Sequence, residues 1–123
     1  MKKEIDIKLT GKKREDAISI LKRTPFEKLR IDKHYFKKDR KTPRHGINLD
    51  DIKKIYIQFD KIILVSYRNS RVGRKYAFIY KINNKNSYYL LFFLDRKIPC
   101  LFNAYLSDIN IEYRLLKKFG FKW

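Results

Sequence analysis

The chain has 123 residues, a length typical of one domain that can bury a hydrophobic core. Apolar residues make up 44% and aromatic residues 15%, which excludes a disordered tail. Lysine and arginine number 31 against 13 acidic residues, giving a formal net charge of +18. Such a charge opposes compaction by self-repulsion, so a polyanion partner such as nucleic acid is its simplest explanation. The alternative is base composition, because AT-rich genomes enrich proteins in lysine, isoleucine and asparagine.

The single cysteine, Cys100, allows no intrachain disulfide and is expected to be a small buried hydrophobe. No stretch approaches the roughly 18 apolar residues of a membrane span. The first residues carry charges where a signal peptide has its apolar region. We therefore expect one compact domain, residues 1–123, in the cytoplasm and away from membranes.

The N-terminal third is predicted to form a strand and two helices. Glu4–Leu9 alternates apolar and charged residues, as in a strand at a sheet edge. A helix follows over Lys12–Lys22. The sequence Thr24-Pro25-Phe26-Glu27 matches a capping box and predicts a second helix that continues to Lys38. A polar loop then leads to a third helix, which begins at Asn48.

Four apolar runs with short connections predict an antiparallel meander. The runs are Ile62–Tyr67, Tyr76–Ile82, Tyr88–Leu94 and Ile98–Leu106. The second and third runs are almost continuously apolar, which predicts central strands that are covered on both faces. A last helix is expected over Ile109–Phe119. The predicted class is α+β, with helices packed on one face of a central antiparallel sheet of four to five strands.

The sequence contains no cysteine or histidine cluster for zinc and no P-loop. Acidic residues are few, and the adjacent Asp50 and Asp51 suit the first turn of a helix. We therefore expect no cofactor and no metal-dependent catalysis.

Two segments concentrate basic residues. The first meander turn carries Arg68, Arg71, Arg74 and Lys75 and suits a phosphate clamp, although a solvated hairpin turn would look the same. The second segment contains Lys33, His34, Lys37, Lys38, Arg40, Lys41, Arg44 and His45. Cations near a histidine lower its pKa, and a neutral imidazole can accept a proton at pH 7. On the last strand, Asn103 and Tyr105 share one face, where Asn103 is expected to look into solvent or a site.

The run RHGINLDDIKKIYIQFD (Arg44–Asp60) resembles the opening of BrnT-type toxins, and the strands that follow have a similar layout. That layout belongs to the RelE-like group of small ribonucleases. The N-terminal strand and helix of this chain are additional to the pattern. The resemblance implies metal-independent RNA cleavage, in which the ribose 2′-hydroxyl attacks the adjacent phosphate.

This chemistry needs a base, cations over the phosphorane oxygens and a donor for the leaving oxygen. The candidate base is His45 or His34, or a lysine of lowered pKa. Arg71 and Arg74 would stabilise the phosphate, and Tyr105 or Tyr67 would stack or act as an acid. The resemblance also implies tRNA, mRNA or ribosome-associated RNA as substrate and an acidic antitoxin as partner.

Two other functions fit the same residues. A non-catalytic module that binds RNA, DNA or the ribosome would show the same charge and aromatic content without an active site. A protein-interaction domain could present its basic face to an acidic partner. An antitoxin would be such a partner, so this third hypothesis overlaps the first.

Overall fold

The computed structural model describes residues 7–32, 49–71, 73–83 and 86–107. These residues form an α+β fold with two helices and a mostly antiparallel sheet of six strands, which confirms the predicted class. In chain order the elements are β1 (Ile7–Lys8), α1 (Gly11–Lys22), β2 (Arg30–Ile31), α2 (Leu49–Tyr56), β3 (Ile62–Ser70), β4 (Gly73–Lys81), β5 (Ser87–Phe93) and β6 (Cys100–Ser107). Single 3-10 turns lie at Phe26–Lys28 and Phe59–Lys61.

The strands are arranged in the order β1-β3-β4-β5-β6-β2. Every pair is antiparallel except β2 and β6. As predicted, β4 and β5 are neighbours at the centre. Three consecutive residues of β4, Phe78, Ile79 and Tyr80, are all buried. Because successive side chains in a strand point to opposite faces, both faces of the central strands are covered.

Both helices join one buried cluster with the sheet. Leu21 of α1 and Ile52 of α2 are fully buried in it. The hydroxyl of Tyr56 shares its proton between the carbonyl oxygens of Leu21, at 2.8 Å, and Thr24, at 2.7 Å. The hydroxyl of Tyr80 donates to the carbonyl oxygen of Tyr56 at 3.1 Å. These bonds tie α1, α2 and β4 together while satisfying two buried phenols.

The predicted second helix is wrong in its described part. The Thr24 hydroxyl does not cap a new helix but donates back to the carbonyl oxygen of Ile20, in α1, at 2.8 Å. The Glu27 carboxylate accepts from Lys53 Nζ at 2.8 Å, and the Thr24 amide, which a capping box would pair with that carboxylate, donates to the carbonyl oxygen of Leu21. After one 3-10 turn the chain is extended at Leu29, whose side chain is buried. Tertiary pairing thus overrides the local helix signal.

The sheet has six strands where four to five were predicted. The sixth strand, β2, arises within the predicted second helix and pairs parallel with β6. The amide of Arg30 donates to the carbonyl oxygen of Pro99, and the amide of Asp32 to that of Leu101. These bonds satisfy backbone groups along the outer edge of β6.

The other predicted elements have mixed outcomes. The helix over Lys12–Lys22 is confirmed as α1, and the helix predicted from Asn48 is present as α2. Of the predicted first strand, Ile7 and Lys8 form an edge strand of the described sheet. The predicted helix over Ile109–Phe119 lies outside the described residues. No helix in the described ranges is long and apolar enough to cross a membrane.

Candidate nucleic-acid interface

Two connections of the meander lie at the same end of the sheet. The β3–β4 turn and the β5–β6 connection share this end because alternate turns of an antiparallel meander fall on the same side. We call it the turn end. Seven basic residues of the described ranges lie there: Arg30, Arg68, Arg71, Arg74, Lys75, Arg96 and Lys97. Among the described residues of these segments, two carboxylates oppose them, those of Asp32 and Asp95.

The strand register places five turn-end residues in one line across the sheet. The line runs Arg30, Cys100, Phe93, Lys75, Arg68, each directly paired with the next. Residues paired in this way share a face, and four interstrand spacings make the line roughly 19 Å long. We call these five residues the row. A cation stands at each end, and a third interrupts it at Lys75.

Aromatic rings support the cations on this face. Lys75 Nζ lies 4.5 Å from the ring centroid of Phe102. That ring meets Phe93 edge to face, with centroids 5.1 Å apart and an interplanar angle of 75°. The guanidinium carbon of Arg96 lies 3.9 Å from the centroid of Phe93. Attraction to the ring quadrupole restrains both side chains.

A second stack lies on the opposite face of the hairpin. The guanidinium carbon of Arg74 is 4.2 Å from the ring centroid of Tyr67, and Arg74 Nε donates to Asn69 Oδ1 at 3.1 Å. The ring of Tyr67 packs against that of Tyr76, with centroids 6.0 Å apart. A hydrogen bond with the Tyr76 side chain further raises the pKa of Arg74. Arg74 is therefore an exposed, permanently charged donor with a restrained position.

The turn between these stacks depends on a glycine. Gly73 has a φ of +130°, a conformation that side chains other than hydrogen rarely adopt. The Ser70 hydroxyl donates to the Gly73 carbonyl oxygen at 2.7 Å across the turn. Arg71 is exposed within it. The first basic segment of the sequence therefore forms a tight hairpin that presents Arg71 and Arg74 to solvent.

The predicted site residues on the last strand are not at the turn end. Asn103 is buried, with 6% of its surface exposed, and does not face solvent. Its Oδ1 accepts from the Ala104 amide at 2.9 Å. Tyr105 pairs with Tyr89, two strands from β4 and five residues along from Arg74. This puts the two Cα atoms roughly 19 Å apart, so the structure does not bring Tyr105 together with Arg74.

The second basic segment lies outside the described residues. It contains His34 and His45 with the cations Lys33, Lys37, Lys38, Arg40, Lys41 and Arg44. Whether they converge on the hairpin therefore stays a prediction. In the part of the chain that the structure describes, no group of three histidine, cysteine, aspartate or glutamate side chains comes together as metal ligands would.

A cleft of about 420 Å³ opens at the Arg30 end of the row. It is lined by Arg30, Ile31, Asp32, Arg96, Lys97, Ile98 and Cys100. The Cys100 thiol lies in its wall, where burial and the charge of Asp32 raise the pKa of the thiol, while Arg96 and Arg30 oppose that shift. Both guanidinium groups are thus within electrostatic reach of the same sulfur.

Sequence analysis missed Arg30, Arg96 and Lys97 as site residues. The predicted topology would have placed Arg96 and Lys97 beside the first basic turn, because the third turn of a meander lies at the same end of the sheet as the first. Arg30 gave no such signal, since its position depends on the pairing of β2 with β6.

Comparison of the chain with protein-family models, with curated proteins and with solved structures found no match. The resemblance to RelE-like ribonucleases therefore stays a prediction from the sequence.

Proposed function

We propose that this protein binds single-stranded nucleic acid, with RNA as the expected form, through the turn end. The observation that supports this most directly is that Lys75 of the row and the neighbouring Arg96 are each restrained against an aromatic ring on one face. Restrained arginine and lysine side chains lose less conformational entropy when they bind phosphates. A charge of +18 gives the long-range attraction that such binding needs.

The stacks also suit unpaired bases. The guanidinium groups of Arg96 and Arg74 each have one side against a protein ring. The other side is available for a base, and arginine planes are common stacking surfaces for splayed RNA bases. Backbone phosphates and bases would thus find partners at the same end of the sheet, with Arg96 on the face of the row and Arg74 on the opposite face.

We infer that both described helices cover the same face of the sheet. Phe78 and Phe92 join the buried cluster with the helices, whereas Lys75 and Phe93 alternate with them and so point to the other face. On this inference the row lies on the face opposite the helices. RNA could then reach the cations of the row without displacing α1 or α2, because Arg30 is exposed and Lys75 and Arg68 are half-buried, whereas Phe93 and Cys100 are buried.

Binding can be tested by fluorescence anisotropy with a labelled single-stranded RNA of about ten nucleotides. The affinity of the wild-type protein should fall steeply between ~50 and ~200 mM salt, because each phosphate contact releases counterions. The double variant Lys75→Gln/Arg96→Gln should bind more weakly and with a shallower salt dependence. A DNA strand of the same sequence shows whether the ribose hydroxyl contributes.

The matched control is Lys61→Gln/Lys81→Gln. It also removes two positive charges, but at the opposite end of β3 and β4. It should retain most of the wild-type affinity and salt dependence. Equal losses in the two double variants would mean that net charge alone drives binding, and RNA binding that is indifferent to salt would exclude the proposal.

Ribonuclease activity is the second function to be tested, as the resemblance predicts it. The described residues supply cations for a phosphorane, whereas both candidate histidine bases lie outside them. Total RNA incubated with the purified protein in EDTA should be cleaved if the prediction holds. His45→Ala should then lower turnover by ~10²–10⁴-fold with little effect on binding. RNA that stays intact would leave a binding protein without catalysis.

We also propose an acidic antitoxin-like protein in the cytoplasm as a natural partner of the same surface. A complementary acidic protein would cover the turn end and compete with RNA. Competition can be measured in the same anisotropy experiment with any acidic protein that co-purifies with the chain.

A further inference from the structure

The cleft at the end of the row differs from the row itself in charge and shape. Arg30, Arg96 and Lys97 contribute three positive charges to its lining, against one negative charge from Asp32. Its walls are otherwise apolar, from Ile31, Ile98 and Cys100. A concave site of about 420 Å³ falls within the range that holds small ligands.

The charge of the lining favours a doubly charged anion. A phosphodiester carries one negative charge, and a phosphate monoester carries nearly two at pH 7, with three terminal oxygens. The lining residues have a net charge of two positive units, which a monoester dianion would neutralise. Arginine forks also suit several oxygens on one phosphorus.

The position of the cleft suits the terminal phosphate of a nucleic-acid strand. Arg30 belongs to β2, the outermost strand of the described sheet on this side. From the cleft the row continues through Phe93 to Lys75 and Arg68. A ligand phosphate held by Arg30 and Arg96 would therefore have the other cations of the row on one side of it.

We propose that this cleft binds a terminal phosphate monoester, with the rest of a nucleic-acid strand extending toward the cations Lys75 and Arg68. The assignment of the monoester to a strand end rests on the proposed function. Recognition of the monoester group by the cleft does not, because a free mononucleotide presents the same dianion.

The test compares two short single-stranded RNAs that carry the same 3′ label and differ only in a 5′-phosphate or 5′-hydroxyl. At a pH near 7.5 the phosphorylated RNA should bind about tenfold or more tightly, as expected for charge-assisted hydrogen bonds. A 3′-phosphate series with a 5′ label identifies which end is bound. The preference should shrink below the second pKa of the monoester, about 6, since the dianion becomes a monoanion.

Two variants locate the effect. Arg30→Gln and Arg96→Gln should each abolish most of the preference for the phosphorylated RNA. Lys75→Gln should lower the affinity for both RNAs by a similar factor. Calorimetric titration with adenosine monophosphate and with adenosine tests whether the cleft recognises the phosphate group in the absence of a nucleic-acid strand. Circular dichroism of each variant confirms that it is folded.

The outcomes separate the two proposals. Equal binding of phosphorylated and unphosphorylated RNA at both ends, without binding of adenosine monophosphate, would overturn the cleft assignment and leave the proposed function standing. Binding of adenosine monophosphate but of no RNA would support the cleft as a nucleotide site and overturn the proposed function. A preference for the phosphate that persists in both Arg30→Gln and Arg96→Gln would place the monoester elsewhere, which also overturns the cleft assignment.

Discussion

The guanidinium carbon of Arg96 lies 3.9 Å from the ring centroid of Phe93, a residue only 3% exposed. An exposed loop cation is thereby coupled to the buried centre of the sheet. The Phe93 ring also packs edge to face against Phe102, and the Phe102 ring contacts Lys75 Nζ. Lys75 of β4 and Arg96 of the β5–β6 connection are thus positioned by one pair of rings.

Replacing the Phe102 ring should separate the contribution of the ring contact to RNA affinity from the contribution of the Lys75 charge. Phe102→Leu removes the ring beneath Lys75 and keeps every charge. Because cation–π contacts at exposed sites contribute about 0.5–1 kcal/mol, RNA affinity should fall by a few-fold. The slope of log affinity against log salt should stay unchanged, whereas Lys75→Gln should lower it by about 0.7 for a single strand. A slope that changes equally in both variants would contradict the role of the ring.

The buried phenols should make stability fall at alkaline pH. Burial raises the pKa of both Tyr56 and Tyr80 far above the usual value of tyrosine. Their contribution is fully present below pH ~10, where the phenols are protonated in the folded and the unfolded chain alike. Above it the unfolded chain releases protons that the folded chain retains, so the free energy of unfolding decreases by at most ~1.4 kcal/mol per pH unit for each phenol.

Urea titrations at pH 7 and pH 11 measure this effect. Tyr56→Phe should lower the free energy of unfolding at pH 7 by about 1–3 kcal/mol, because the carbonyl oxygens of Leu21 and Thr24 lose their donor. It should also reduce the further loss at pH 11, since one titrating phenol is gone. An identical alkaline loss in the variant and the wild type would rule out Tyr56 as a cause.

The hairpin should not tolerate a side chain at Gly73. A φ of +130° is strained for any L-residue other than glycine, so Gly73→Ala should cost about 1–3 kcal/mol of stability. Space is not the limit, because an added Cβ would meet Phe93 only at an ordinary 3.9 Å. Chemical synthesis with D-alanine at position 73 is the control, since that residue accepts positive φ. Equal destabilisation by both alanines would point to crowding instead.

Removal of the Ser87 hydroxyl should stabilise the protein. This hydroxyl is fully buried and has no hydrogen-bond partner among the described residues. Ser87→Ala should therefore raise the free energy of unfolding by about 1 kcal/mol, because an unpaired buried hydroxyl is unfavourable. Ser70→Ala makes the same chemical change where the hydroxyl has an acceptor and should slightly destabilise the hairpin. Thermal unfolding of the two variants should shift in opposite directions.

Local sequence was enough to predict the central sheet. The nearly continuous apolar runs around Phe78 and Leu90 predict burial on both faces, and their short connections require antiparallel neighbours. The helices α1 and α2 were predicted from the spacing of their apolar residues. Each of these features depends on residues close together in the chain.

Half of the candidate site was also visible in the sequence. The basic β3–β4 turn was identified with Arg68, Arg71, Arg74 and Lys75. Asn103 was expected to face solvent or a site, yet the structure buries it and pairs its amide oxygen with its own strand. Alternation along a strand shows which residues share a face, but it does not show what covers that face.

The sequence by itself determined the α+β class, the central strands and the basic hairpin, since local periodicity and turn chemistry specify them. Only the tertiary structure decided that Arg30 follows a 3-10 turn and belongs to strand β2. The capping-box sequence predicts a helix there. The tertiary structure also decided that Arg30 and Arg68 end the same row. Both depend on strand register between segments up to 70 residues apart, Arg30 and Cys100, which is set by mutual hydrogen bonding and burial and not by either segment alone.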